Sequence, residues 1–425
     1  MTKSNGFGLV LYLIFMISSL LSNTLLQLIG TILYILVLIS LKKEDSVLIL
    51  VILSPSIAIV SFPWIGVGLL GVGSFILCVK LQTFRTFPIK YIAPILIVLI
   101  ITLSRMINGN YYDFILFILV LSTFALCKKI YLDQKFEKKK LIYAYRYGCM
   151  LLMFGMVADY LINGGNNGRF RALGDDCNYT AISLFVVFMI SLIAYGYSID
   201  LKNNRFYLII SLIFGLLTGS RGFMLAVGVA FAFFGIRGIV KKGDRRIIVL
   251  AIIGILIIIG LYFMNFSFAV NLYNATIGRT INYMESYSNG DFMDITSGRF
   301  FLWKYYWANK VTNIKEFLFG IGFYNYYLVE NGGYGLAAHN MYLSGIIGVG
   351  FIGLLAMMSL FLSFFDRVSL GVIKNKAFLA IPIGVFTEYM MLDGLFDQRI
   401  IIYMLMAASL ANCFISLKKG DRQIS

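Results

Sequence analysis

The sequence predicts an all-α, polytopic integral membrane protein of about twelve to fourteen transmembrane helices with one long extracytoplasmic loop. Three observations carry that prediction. Apolar runs of about 16–20 residues recur along the chain, the length a helix needs to cross hydrocarbon. Only 13% of the residues are charged and 60% are hydrophobic, with a mean hydropathy of +0.86, where a soluble domain carries about 25% charge. The Lys and Arg residues fall in short clusters between the runs, as the positive-inside rule asks of cytoplasmic loops. A β-barrel would need alternating ten-residue strands, and runs such as "IIVLAIIGILIIIGLYFM" do not alternate.

The basic clusters are "LKKEDS" (41–46), "KLQTFRTFPIK" (80–90), "CKKIYLDQKFEKKK" (127–140), "DLKNNR" (200–205), "RGIVKKGDRR" (237–246), "DRVSLGVIKNK" (366–376) and the C-terminal "LKKGDRQIS". Each successive pair leaves room for two spans. The predicted spans are 7–22, 24–41, 46–61, 64–80, 91–106, 112–127, 141–162, 177–197, 206–219, 222–238, 247–265, 339–364, 377–394 and 400–417, with both termini inside. On this topology 26 of the 36 Lys and Arg face the cytoplasm and 10 face out, which sets the orientation. The first run, "GFGLVLYLIFMISSLLSN", lacks a small-x-small cleavage site and reads as a span. Because the net charge of +16 is divided among these clusters, nucleic acid is not expected as a partner.

The chain divides into N-terminal helices (1–140), central helices with outer arginine-bearing loops (141–265), a large extracytoplasmic loop (266–338) and C-terminal helices (339–425). Within the large loop, "FLWKYYWANKVTNIKEFLF" reads as one amphipathic helix whose aromatics suit the membrane interface. Cys78, Cys127, Cys149, Cys177 and Cys413 lack metal-ligand spacing, and only Cys177 falls near the outer face, so no structural disulfide is expected.

The outer face holds the candidate chemistry. Arg169, Arg171, Arg221 and Arg299 run against the positive-inside trend, and Arg221 stands alone between two apolar runs. A guanidinium at membrane depth costs about 2.5–3.5 kcal/mol on insertion scales, so it is usually retained for an anionic partner; the ordinary alternative is an arginine snorkelling to the headgroups. His339, the only histidine, stands where a polar loop becomes an apolar run. A lipid pyrophosphate suits such a place, because guanidinium forks match phosphate oxygens. The helix starting near Asn340 would add amide donors and a positive dipole end. That dipole disfavours an imidazolium, so His339 is expected to remain a proton acceptor. Its ordinary alternative is a hydrogen-bonded boundary histidine with no role. Asp175, Asp176, Asp291 and Asp294 could hold a divalent cation through oxygen ligands, but loop carboxylates are more often solvated. No P-loop, dinucleotide fingerprint or zinc motif is present in the sequence.

Four segments in order resemble the O-antigen ligase/polymerase superfamily of bacterial membrane glycosyltransferases. "RFRALGDDCNYTAISL" resembles its R-x-x-G…N-x-x-A element, and "LLTGSRGFMLA" its T-x-S-R-G element. "SGRFFLW" followed by "FLFGIGFYNYY" is similar to its G-R…W…G-x-G run. "AHNMYLSGIIGVGFIGLL" resembles its H-N-x-x-L…G-x-x-G closing motif. The resemblance covers about residues 165–360, with Cys177-Asn178 departing from the usual Pro-Asn. It implies a metal-independent enzyme of GT-C type, needing no cofactor, that works on undecaprenyl-pyrophosphate-linked oligosaccharide donor and acceptor at the outer face of the cytoplasmic membrane. By motif, Arg169 or Arg171, Arg221 and Arg299 would bind pyrophosphate, with Asn178, Asn340 and Tyr342 as further substrate-binding positions. His339 would act on the acceptor hydroxyl. A chain-length regulator and a flippase would be protein partners.

Polymerisation of lipid-linked repeat units is the preferred expectation, partly on an associational ground, the AT-rich codon bias implied by heavy Ile, Phe, Tyr and Asn usage. Ligation of the glycan to a lipid A core or another carrier is the close alternative. A lipid-linked oligosaccharide flippase would instead line several helix middles with charge and carry no long outer loop. Here Asp159 and Glu388 are the main mid-span charges. A pure assembly scaffold is the remaining alternative.

Overall fold

The computed structural model describes residues 3–57, 60, 68–83, 91–107, 111–166, 168–173, 176–234, 299–323, 339–365, 376–392 and 395–424. The first ten helices are α1 (Lys3–Leu20), α2 (Thr24–Ser40), α3 (Lys43–Ile57), α4 (Leu69–Leu81), α5 (Ile92–Ile107), α6 (Tyr111–Leu132), α7 (Lys138–Asn163), α8 (Cys177–Gly196), α9 (Asn204–Leu217) and α10 (Arg221–Phe234). The large loop contributes α11 (Arg299–Lys310) and α12 (Ile314–Phe319). The C-terminal region contributes α13 (Met341–Leu362), α14 (Ala380–Glu388) and α15 (Gln398–Ile424). Every described element is helical apart from turns and isolated bridges, so the chain is an all-helical, multi-pass membrane protein. Six described helical stretches, α1, α6, α7, α8, α13 continued to Phe365 and the first part of α15, are long and apolar enough to cross a membrane on their own. The predicted span at 247–265 lies outside the described residues.

Burial orders the bundle. In α8, 94% of the apolar window lies inside the protein, against 39% in α1. A helix apolar on every side is a core helix when neighbours surround it, and α8 is packed by α9, α10, α14, α15 and α7. On α2, Leu25, Ile29, Ile32, Leu33, Leu36 and Ile39 form an exposed stripe at helical spacing, while Tyr34 and Leu38 on the other side are fully buried. That stripe is the surface for lipid.

Cations in the predicted cytoplasmic segments are used to cap helix ends. Lys80 Nζ donates to the carbonyls of Leu38 at 2.7 Å and Ile39 at 3.1 Å, at the end of α2. Lys138 Nζ does the same for Ile130 (2.6 Å) and Asp133 (2.9 Å) at the end of α6. Arg146, fully buried, donates to Ser191 Oγ and Asn204 Oδ1, each at 2.8 Å, and lies over the Tyr207 ring. The two ammonium groups are favourable at these carbonyl-bearing ends, where the helix dipole is negative, whereas Arg146, inside the predicted span 141–162, is held by side-chain oxygens.

Two differences from the sequence expectation have local causes. The loop expected at 127–140 begins only after Leu132, because Lys128 is buried instead of exposed. Its Nζ donates to Ser363 O at 2.6 Å and sits over the rings of Tyr91 and Phe364. The single amphipathic helix expected at 301–319 is two helices, α11 and α12. Asn313 caps α12, accepting from Glu316 N at 2.9 Å, and the Glu316 carboxylate takes Thr312 Oγ1 and Thr312 N at 2.7 Å each. This reciprocal cap starts a new helix, and the Thr312 hydroxyl and amide hold the Glu316 carboxyl below the usual carboxylate range.

The described part of the long segment before α13 is fastened to that helix. Ile321 N and Gly322 N donate to Ile347 O (2.7 Å) and Gly348 O (3.1 Å). Those carbonyls are available because α13 is broken at Gly350, whose φ of 78° and ψ of 169° leave the helix. Asp113 Oδ2 accepts from Phe323 N at 3.0 Å and pairs with Arg105 Nη1 at 3.2 Å, and Arg105 also donates to Phe319 O. Tyr306 on α11 buries against Leu343 and Ile347.

Candidate active site

Four helices that start at the outer end of the predicted topology each begin with a polar cap, and side-chain contacts join the heads of α8, α10 and α15. Asp176 Oδ1 accepts from Asn178 N at 2.7 Å at the head of α8. Ser220 Oγ accepts from Phe223 N at 3.3 Å at the head of α10. Asn340 Oδ1 accepts from Tyr342 N (3.0 Å) and Leu343 N (3.1 Å) at the head of α13. Asp397 Oδ1 accepts from Arg399 N at 2.9 Å at the head of α15. Amide-rich, dipole-positive ends gathered in one place favour anions.

The loop before α8 joins two of these heads. Arg169 Nε donates to Thr218 O at 2.6 Å and its Nη2 to Asn178 Oδ1 at 3.3 Å. Phe170 N donates to Leu217 O at 3.1 Å, and the Phe170 ring stacks on Tyr160 at 4.2 Å. The turn it meets is tight: Gly219 has φ +59°, and Thr218 Oγ1 receives Ser220 N at 3.2 Å. Arg221 follows as the first residue of α10, half-buried. The sequence therefore places Arg169, Asn178 and Arg221 far apart, and the fold brings the first two and the turn bearing the third together.

The C-terminal helices complete the ring. Tyr342, three residues after His339, donates its hydroxyl to Phe386 O on α14 at 3.1 Å. Glu388, at the end of α14 and fully buried, abuts the head of α10: a Cβ built on Gly222 would meet its Cγ at 2.9 Å. His339 itself is half-buried in the left-handed region at φ +48°, and Asn340 takes up the helix from it. Arg299 heads α11, and its side chain lies outside the described residues, as do Asp175, Asp291 and Asp294. Among the described residues no group of three or more His, Cys, Asp or Glu is placed to hold a metal ion. All five cysteines are buried and unbridged.

Arg171 points elsewhere. Its Nε donates to Asp159 Oδ2 at 3.2 Å, and Asp159 also accepts from Asn163 Nδ2 at 2.8 Å. Removing Arg171 leaves the buried Asp159 carboxylate with only Asn163, so Arg171→Ala is expected to cost about 1–3 kcal/mol of stability. Thermal unfolding of the purified protein should show that loss, with most of it recovered in the Arg171→Met, Asp159→Leu double variant. A double variant that is stable but inactive would return Arg171 to the site.

One group was missed by sequence reasoning. Arg399 and Asp397 form a buried fork, Nε to Oδ2 at 2.9 Å and Nη2 to Oδ2 at 2.8 Å, and Tyr389 donates its hydroxyl to the same Asp397 oxygen at 2.8 Å. The available signal was an Asp-x-Arg at the head of an outward-starting span, one more arginine against the positive-inside trend.

The fold and this cluster define a multi-pass helical membrane protein with basic, dipole-positive groups gathered at one end of the bundle. Residues 206–358 match the family model of O-antigen ligase, a match that supports the likeness to the O-antigen ligase/polymerase superfamily, whose members are membrane glycosyltransferase-like enzymes. The matched segment runs from α9 to near the end of α13 and contains Arg221, Arg299, His339, Asn340 and Tyr342. No curated protein matches the chain.

Proposed function

We propose that this protein polymerises undecaprenyl-pyrophosphate-linked oligosaccharide repeat units, of O-antigen or capsular type, at the outer face of the cytoplasmic membrane. The observation that carries the reading is the junction of Arg169, Asn178 and the Thr218–Arg221 turn among converging helix N-termini, a cradle suited to a pyrophosphate. In the reaction the acceptor sugar hydroxyl attacks the anomeric carbon of the donor. The bond from that carbon to the phosphate oxygen breaks, and undecaprenyl pyrophosphate departs with the electron pair. His339 takes the hydroxyl proton, while Arg221, Arg169 and Arg299 stabilise the leaving charge. Arg169 is preferred to Arg171 because Arg171 is committed to Asp159. The large loop would shape the acceptor groove and exclude water, since hydrolysis of the donor is the competing reaction. The two sugar substrates are lipid-linked, and a flippase and a chain-length regulator would work alongside.

Ligation to a lipid A core or another carrier is the second reading, favoured by the O-antigen ligase description of the matching family. Purified protein supplied with a lipid-linked repeat unit tests both. A ladder of lipid-linked polymer supports polymerisation; no product until a carrier acceptor is added supports ligation. Arg221→Ala is expected to lower turnover about 10²–10³-fold, the worth of one preorganised charge donor, with Arg221→Lys restoring only part because lysine lacks the planar fork. Full activity in Arg221→Ala would remove that arginine from the site.

A further inference from the structure

Arg399 sits where local physics disfavours it. It lies in the first turn of α15, at the positive end of the helix dipole, and is only 5% exposed. Asp397 neutralises it, and Tyr389 fixes Asp397. The guanidinium lies 4.3 Å over the Tyr179 ring, which in turn meets the Tyr389 ring edge-on at 6.4 Å. Tyr179 is half-buried and follows Asn178, the residue that accepts from Arg169. A residue that breaks a local preference at a cost is expected to be held there for a site. A planar cation stacked on an aromatic face fixes that ring's orientation more tightly than an apolar neighbour does.

We infer that Arg399, clamped by Asp397 and Tyr389, is a positioning residue for the anion cradle: it fixes the Tyr179 ring, and through the adjoining Asn178 the direction of Arg169. The last helix of the chain, which follows the segment matched to the family model, thereby sets the geometry of a loop more than two hundred residues earlier. Tyr389 connects this clamp to Glu388 and so to the head of α10, which couples both walls of the cradle to one buried ion pair. The inference rests on the proposed pyrophosphate-binding role of Arg169 and Asn178.

The test is competition by inorganic pyrophosphate against the lipid-linked donor, measured on purified full-length protein together with its thermal unfolding. Asn178→Ala tests the underlying reading: an unchanged inhibition constant would overturn the cradle itself. With that control weakened, Tyr179→Leu and Arg399→Lys are expected to raise the pyrophosphate inhibition constant and the donor KM about tenfold, with a smaller change in kcat. Tyr179→Phe, which keeps the ring face, should retain the affinity that Tyr179→Leu loses. Combining Tyr179→Leu with Asn178→Ala should add little to either alone, because the two act in one path. If Tyr179→Leu and Arg399→Lys lower only the unfolding temperature and leave the inhibition constant unchanged, the clamp is structural and the inference is overturned. Should Arg399→Lys fail to fold, the Tyr179 pair alone decides.

Discussion

Gly350→Ala is expected to release the outer segment from α13 and to cost about 3 kcal/mol. Two effects add. The φ of 78° and ψ of 169° at Gly350 lie in a region essentially reserved for glycine, which costs an L side chain about 1–3 kcal/mol. A Cβ there would stand against the Leu318 carbonyl and the Phe319 backbone, which forces apart the seam holding Ile321 and Gly322 to Ile347 and Gly348. Each of those two backbone hydrogen bonds contributes about 1 kcal/mol. Gly6, on α1 with open space around it, is the control: Gly6→Ala should be neutral or slightly stabilising, as alanine is in a helix. Thermal unfolding measures the loss, and limited proteolysis between α12 and α13 should accelerate in Gly350→Ala alone. Equal protease resistance in the two variants would mean that the seam does not hold the segment. The consequence for function follows from the chain, because α12 and α13 flank the stretch that ends at His339.

Much of the bundle was legible because its cause is local. The apolar runs of α6, α7, α8 and α13 announce themselves through length alone, and Asp176 and Asn340 are ordinary capping residues at the starts their motifs suggest. What escaped depends on partners distant in sequence. Lys128 looks like a loop lysine until Ser363 O and the rings of Tyr91 and Phe364 enclose it. The break in α13 needs the Gly320–Phe323 strap, which replaces the helical hydrogen bonds lost at Gly350. Arg169 and Arg171 carry one local signal between them, two residues apart in a single loop. Only tertiary structure separates the arginine that spans Thr218 and Asn178 from the one neutralised by Asp159, although a lone acid one turn before the end of α7 was a readable hint. Arg399 was hidden by its own neighbour: an Asp two residues before an Arg reads as a solvated pair, and its burial depends on Tyr179 and Tyr389.

His339→Asn is expected to lower turnover about 10²–10⁴-fold, the usual worth of a positioned base, while leaving the fold intact. The backbone decides the choice of variant. At φ +48° an alanine would be strained, whereas asparagine adopts this region readily, as histidine does. A loss in His339→Ala would mix backbone strain with lost chemistry, and His339→Asn isolates the chemistry. Asparagine can still hydrogen-bond the acceptor hydroxyl but cannot take its proton. Binding of the lipid-linked donor should survive, because the arginines carry it, so the effect should fall on kcat more than on the donor KM. If His339→Asn turns over at the wild-type rate, the imidazole only orients the acceptor, and its place beside the cap of α13 is a matter of folding.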